Sequence, residues 1–193
     1  ITDEVIERLS AVEKFCPQFH ISLQSGCNKT LRKMNRHYTA EEYFTLCEKL
    51  RKNFDGATLT TDVMVGFPDE TAEDFEQSLA FVKKVGFEKV HVFPYSRRDG
   101  TPAARMANQV ENAEKSRRAA VMIDETEKIR ETFLKAQIGK VLEVLPEEFH
   151  NGFVQGYTAN YTPVKIMGAG SEKDIIKAEI IAVEDDFCIG KKV

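Results

Sequence analysis

Hydrophobic positions along this chain follow two different spacings, and the switch from one to the other divides it. After Thr2-Asp3-Glu4, a helix-capping start, Val5, Ile6, Leu9 and Val12 recur at helical spacing as far as Pro17. Residues 19–24 alternate instead, as a strand does. Thr39 stands three residues before Glu42 and opens a helix whose Tyr43, Leu46, Cys47 and Leu50 share one face. A second strand pattern covers 59–65; Thr71 then caps a helix with Phe75, Leu79, Val82 and Val85 inside, closed by Gly86. A third strand pattern covers 89–95, and a long helix runs from Asn108 or Glu111 to about Gln137. Such alternation, with connections of a few residues, predicts parallel strands joined by right-handed crossovers. The first part is therefore α/β, half of a βα barrel or an open doubly wound sheet.

From Ile138 short strands replace helices, at 141–145, 153–158, 164–167 and 176–183, with 187–189 as a further candidate. The turn material between them is His150-Asn151-Gly152, Thr162-Pro163, Gly168-Ala169-Gly170 and Glu184-Asp185-Asp186. This predicts a small closed or nearly closed β barrel of OB-like size. The expected domains are 1–137 and 138–193.

The strand faces carry the chemistry. Ile21 and Leu23 oppose His20, Ser22 and Gln24; Thr61, Val63 and Val65 oppose Thr60, Asp62 and Met64; Val90 and Val92 oppose His91, Phe93 and Tyr95. A parallel sheet covered on both sides reads as nearly continuous aliphatic sequence. Here one face is polar, which predicts a solvated or ligand-filled lumen, the alternative being a wet core whose groups bond to one another. The segments after each strand, where α/β folds place their sites, are 25–28, 66–71 and 96–102. Gly66 permits close approach of a ligand to the backbone, and the helix after Thr71 offers free N–H groups. Basic residues gather at these ends: Lys29, Arg32, Lys33, Arg36 and His37, then Arg97, Arg98 and Arg105. On a helix, positions 29, 32, 33 and 36 share a face, which is either a solvated surface or one side of a polyanion-binding rim.

Composition narrows the classes without choosing one. The chain has 193 residues, 27 basic and 31 acidic side chains, and 42% hydrophobic residues, as a soluble globular protein does. No apolar run approaches the roughly 20 residues that span a bilayer, so no membrane role is expected. Residues 1–137 hold 21 basic and 22 acidic side chains and the remainder 6 and 9, so any nucleic-acid binding must use local patches. Cys16, Cys27, Cys47 and Cys188 form no CxxC pair or zinc spacing and read as reduced thiols of a cytoplasmic protein. There is no nucleophile elbow, P-loop or dinucleotide fingerprint, which leaves little for a self-contained hydrolase or aldolase.

Taken in order, HISLQSGC at 20–27, LRKMNR at 31–36, TTDVMVGFPDET at 60–71 and HVFPYSRRDGTP at 91–102 resemble the radical-SAM methylthiotransferases, most closely the MtaB branch among MtaB, MiaB and RimO. GYTANY at 156–161 is similar to the TRAM domain that ends these enzymes. The resemblance implies the second half of a TIM-like radical-SAM barrel followed by an OB-like TRAM barrel. The CxxxCxxC motif of the family is absent, so the chain is expected to be a piece that is inactive alone and holds no metal. It also implies S-adenosyl-L-methionine and two 4Fe-4S clusters in the full-length enzyme, and tRNA as partner. The reaction would be methylthiolation at C2 of an adenosine next to the anticodon, N6-threonylcarbamoyladenosine in this branch.

By matching positions, Gln24, Ser25, Arg36, Asp62, Gly66, Phe67 and Pro68 would contact S-adenosylmethionine. His91, Tyr95, Arg97 and Arg98 would meet the substrate and RNA phosphates, and Tyr157, Tyr161 and Lys165, with Phe153, would stack on and neutralise RNA. Asp62 bonding only within the barrel, Arg36 lying on the surface and His91 serving as a core histidine remain open, and no catalytic residue is assigned. The other reading of the same residues is a non-catalytic RNA-binding module. A homodimer through exposed strand edges is also expected.

Overall fold

The computed structural model describes residues 1–150, 152–168 and 174–193. Helix α1 (Asp3–Ser10) starts at Thr2, whose hydroxyl accepts the Val5 N–H, but it stops well before Pro17 and leaves Val5 and Val12 exposed. Strand β1 (Gln18–His20) is followed by α2 (Asn28–Lys33), α3 (Ala40–Asn53), β2 (Thr58–Val65), α4 (Ala72–Val85) and β3 (Lys89–Pro94). The expected capping box of Thr39 with Glu42 is present, and Thr71, expected as a cap, forms a second box with Asp74. The three strands form one parallel sheet in the order β1-β2-β3.

Strand β1 is shorter than its alternating sequence predicts, for a visible reason. The Tyr43 hydroxyl donates to the Ile21 carbonyl at 2.6 Å and the Tyr38 hydroxyl to the Leu23 carbonyl at 2.9 Å. Thr61 receives the Leu23 N–H at 2.8 Å and donates to the Ile21 carbonyl. Side chains thus satisfy the backbone groups that a ladder would use, and pairing with β2 resumes only at Gln24, opposite Val63.

The aliphatic face of the sheet is the core. Phe19, Leu23, Leu59, Val63 and Val65 pack against Tyr43, Cys47 and Leu50 of α3, Phe75, Leu79, Val82 and Val85 of α4, and Ala119 and Met122 of the long helix α5 (Asn112–Lys135). Each fully buried aliphatic side chain contributes about 1.5–3 kcal/mol, so this layer fixes the direction of the opposite face. Helix α5 also braces the loop after β2. Arg118 donates to the Glu70 carboxylate at 2.7 Å and to its carbonyl at 3.0 Å, and Glu70 accepts the Gly66 N–H at 2.7 Å.

Beyond α5, strands β4 (Val141–His150), β5 (Phe153–Thr158), β6 (Pro163–Met167), β7 (Ile176–Glu184) and β8 (Phe187–Lys192) close into a barrel in the order β4-β5-β6-β8-β7. Strand β4 runs past the predicted 141–145 because a register shift between Pro146 and Glu148 lets it bend around the barrel while still pairing with β5. Gly156 sits at that bend, where a Cβ would lie 2.1 Å from the Leu145 carbonyl oxygen. The candidate strand at 187–189 is a full strand, paired with both β6 and β7. Of the turn calls, Asn151, Ala169 and Gly170 lie outside the described residues.

Leu134 of α5 enters the barrel core beside Val144, Val164, Ile166 and Ile180. The Thr58 hydroxyl donates to the Asn160 carbonyl, and the Asn160 amide donates to the Gly56 carbonyl, both at 2.7 Å. Arg130 pairs with Asp186 at 2.9 Å and donates to the Glu88 carbonyl. No helix among the described residues is long and apolar enough to cross a membrane.

Arg118→Leu leaves Glu70 buried without its guanidinium and is expected to cost about 3–5 kcal/mol in urea unfolding. Adding Glu70→Gln should recover part of that loss. A change within about 0.5 kcal/mol for the single variant would mean that the pair does not hold the loop.

Candidate functional site

The polar face lies on the side of the sheet away from the three helices. On it, the Ser22 hydroxyl donates to the Asp62 carboxylate at 2.7 Å, and His20 Nε2 meets the same oxygen at 3.2 Å. Gln18 Nε2 donates to the Thr60 hydroxyl at 3.0 Å, so the Thr60 hydrogen is free to bond His20 Nδ1, also 3.0 Å away. That assignment puts the imidazole proton on Nε2, facing Asp62. Burial raises the Asp62 carboxyl, but the bonds from Ser22 and His20 and the nearby imidazoles outweigh it and hold the group below the usual carboxylate range. The His91 ring lies 6.1 Å from that of His20 and makes no hydrogen bond to the described residues. Phe93 completes the row at 51% exposure. The polar groups therefore do bond to one another, and the face they make is still open.

The other expected site residues are placed differently from one another. Gln24 stays at the sheet, in the left-handed region at φ 66°, with its N–H on the Asp62 carbonyl. Ser25 is fully buried, and its hydroxyl accepts the Cys27 N–H. Arg36 is exposed and lies beyond α2, not on it, because Asn35 at φ 57° has already ended the helix. Gly66, Phe67 and Pro68 are all buried. Gly66, at φ 70°, does permit a close approach, but by the stem of Lys115, whose Cγ would lie 2.5 Å from a Cβ there. Tyr95 is buried edge-on against Phe67 with Lys115 over its ring, away from the His20–Asp62–His91 row. The break in alternation comes at Pro94, which ends β3. Arg97 and Arg98 are exposed in the loop that follows. Of the other cations, Lys29 pairs with Asp74 at 2.6 Å and Lys33 with Asp69 at 2.7 Å, so two of the four cations expected on the 29, 32, 33 and 36 face are neutralised.

Sheet and barrel meet at a cleft of about 500 Å³. His20, Thr60 and His91 line it from the sheet, and Tyr157, Asn160 and Tyr161 line it from the barrel. Lys165 lies over the Phe187 ring at 4.2 Å, next to the same cleft. Sequence reasoning named Tyr157, Tyr161 and His91 separately but gave no sign that they converge. The signal was Asn160, a turn residue whose two bonds to the start of β2 dock the barrel there.

The thiols fit no cluster. All four are free; Cys16 is exposed, and Cys27, Cys47 and Cys188 are buried. Burial pushes the Cys47 thiol up to about 12 and the Cys188 thiol up to about 11. Among the described residues no three His, Cys, Asp or Glu side chains come together to hold a metal ion. For an adenosyl group the fit is better on the open face: the Asp62 carboxylate suits ribose hydroxyls, whereas the Gly66 approach is already filled.

Residues 1–82 match the radical SAM superfamily. The fold agrees: coproporphyrinogen III oxidase of Escherichia coli, described as a radical SAM enzyme, superposes with a TM-score of 0.51 at 21% identity. That superposition covers 70% of this chain and 30% of the other. The chain is 41% identical over 190 residues to threonylcarbamoyladenosine tRNA methylthiotransferase MtaB of Bacillus subtilis, covering 94% of this chain and 42% of that protein. It is 40% identical over 168 residues to tRNA-2-methylthio-N(6)-dimethylallyladenosine synthase of Caldicellulosiruptor saccharolyticus, covering 86% of this chain and 36% of that protein. Over residues 1–82 the α/β part is thus similar to radical-SAM proteins. More particularly, the chain is similar to these tRNA methylthiotransferases, and it spans about two fifths of the length of the MtaB protein it matches.

The depressed Asp62 pKa fixes a sign. The folded carboxyl titrates below its unfolded value, so its contribution to stability is complete above about pH 4 and is lost as pH falls further. Asp62→Asn should therefore flatten the acid limb of the urea-midpoint profile. An acid limb identical to that of the parent would show that the Ser22–Asp62–His20 network is not formed in solution.

Proposed function

We propose that this chain is the substrate-facing part of a tRNA methylthiotransferase, working on C2 of an adenosine beside the anticodon. The observation that carries the reading is the open row of Ser22, Asp62, His20 and His91, in a chain similar over 190 residues to an enzyme of that name. Threonylcarbamoyladenosine is the substrate we favour, because the relative named for it matches over 94% of this chain. In the whole protein, S-adenosylmethionine and iron–sulfur clusters would supply the radical chemistry and the sulfur.

The residues here then have defined tasks. Asp62, held by Ser22 and His20, accepts hydrogen bonds from ribose hydroxyls; Gln24 stands at the end of the same face. His91 and Phe93 bound the space where an adenine would lie, and Arg97 and Arg98 meet phosphates on the exposed loop. The division into 1–137 and 138–193, a cytoplasmic location and a homodimer through the sheet edges belong to the same proposal. Light scattering that gives a strict monomer at high concentration would remove the dimer.

Transfer RNA from a host lacking C2 methylthiolation of threonylcarbamoyladenosine, supplied with the gene that encodes this chain, should contain the methylthio nucleoside by mass spectrometry. Asp62→Asn should lower that product at least tenfold. No product from the parent gene would contradict the reading. It would favour a non-catalytic tRNA-binding module if the protein still binds tRNA in a salt-dependent way and loses binding on Arg97→Ala with Arg98→Ala.

The scattered thiols allow a second test. Anaerobic iron and sulfide reconstitution of residues 1–193 is expected to give no stoichiometric cluster absorption, and a full cluster signal would mean that the thiols rearrange to hold one.

A further inference from the structure

The Asp62 carboxylate is loaded on one side only. Both of its donors, the Ser22 hydroxyl at 2.7 Å and His20 Nε2 at 3.2 Å, meet Oδ2. Among the described residues only Thr30 and Tyr95 bury an unpartnered side-chain oxygen or nitrogen, so the other oxygen, Oδ1, lies open. We infer that Thr60, backed by Gln18, is a positioning residue for Asp62: it fixes the His20 ring, which with Ser22 holds Oδ2 and leaves Oδ1 to accept a ligand hydroxyl. The inference rests on the role proposed above for Asp62 and names the residues on which that role depends.

Three observations lead there. First, the register against β2 changes by one residue: His20 stands opposite Thr60, but Gln24 stands opposite Val63. Ile21 N–H reaches the Thr60 carbonyl and Gln24 N–H the Asp62 carbonyl, so three steps along one segment match two along the other. Such an extra residue is a β-bulge, which re-aims side chains beside sites. The Tyr43 and Tyr38 hydroxyls hold it by bonding the Ile21 and Leu23 carbonyls. Ser22 lies inside the bulge, and its hydroxyl reaches Asp62.

Second, His20 has a partner at each ring nitrogen. Thr60 Oγ1 lies 3.0 Å from Nδ1, and Gln18 Nε2 donates to that same Thr60 oxygen at 3.0 Å. The Thr60 hydrogen is thereby turned to Nδ1, and the ring cannot swing away from Oδ2 without losing both bonds. Third, the His20 side chain is 44% exposed. An imidazole this open keeps one rotamer only if something holds it, and the line from Gln18 through Thr60 does so. The ionisable groups around Asp62 are His20 from β1, His91 from β3 and Tyr43 from α3, and of these His20 alone bonds the carboxylate.

The test follows the Asp62 carboxyl carbon by nuclear magnetic resonance of residues 1–193. In the parent it should titrate below the usual carboxylate range. Thr60→Val should move that titration upward by about half a pH unit, the worth of one hydrogen bond, and Thr60→Ser should restore it. Gln18→Leu should move it the same way by less, and it serves where amide spectra show β2 disturbed in Thr60→Val. An unmoved titration with β2 intact overturns the inference. A ribose hydroxyl can come from an adenosyl cofactor or from RNA, so S-adenosylhomocysteine and an anticodon stem-loop are added separately. The probe that moves the Asp62 signal in the parent but not in Thr60→Val supplies the hydroxyl. An equal response in Thr60→Val, or none from either probe in the parent, overturns the assignment of Oδ1. In cells, Thr60→Val should make severalfold less methylthio nucleoside than the parent, and Thr60→Ser as much. If the Asp62 titration moves as stated and the parent gene yields no methylthio nucleoside, the positioning stands and the methylthiotransferase reading falls. Product from the parent gene with an unmoved titration does the reverse.

Discussion

Leu23, Leu59, Val63 and Val65 are almost fully withdrawn from water beneath α3 and α4, and a strand has only two sides. Once those residues point at the helices, Ser22, Thr60 and Asp62 must point away from them. A slip of one residue in β2 would bury Asp62 and expose Val63, so the aliphatic packing fixes register and site together. The network of His20, Thr60, Asp62 and Ser22 adds hydrogen bonds to a direction that is already set.

The barrel contributes in a different way. Its own core is closed, with Val144, Val164, Ile166 and Ile180 inside; Leu134 and the Arg130–Asp186 pair join it to α5, and Asn160 joins it to the start of β2. This attachment puts Tyr157 and Tyr161 within one cleft of His20 and His91. The loops that follow β2 and β3 lie at the other end of the strands and are stiffened by Glu70 and Arg118. The molecule thus offers a polar surface with distinct features at both ends, which suits an extended polymer better than a small metabolite. Similarity to tRNA methylthiotransferases along nearly the whole chain agrees with that geometry.

Much of this was legible in the residue order. Thr39 and Thr71 with their acidic partners mark helix starts by local chemistry, and the alternation in β2 assigns both its faces without error. The barrel strands follow from turn residues and spacing, except that the bend at Gly156 let β4 run on to His150. Long-range contacts were not legible. Nothing near Arg118 in sequence says that it holds Glu70, 48 positions away, or that Lys115 fills the space beside Gly66. Arg36 and Tyr95 departed from their expected places because one residue beside each, Asn35 and Pro94, broke the period on which the expectation rested.

The central claim is that tRNA lies across the polar face and enters the cleft. Hydroxyl-radical footprinting read by mass spectrometry, with and without tRNA, tests it at the side chains themselves. His20, His91, Phe93 and Tyr161 should lose labelling when tRNA is bound, while Val12 and Ile123, both exposed elsewhere, should not. Equal labelling of those four residues with and without tRNA, under conditions where binding is saturated, would contradict the account.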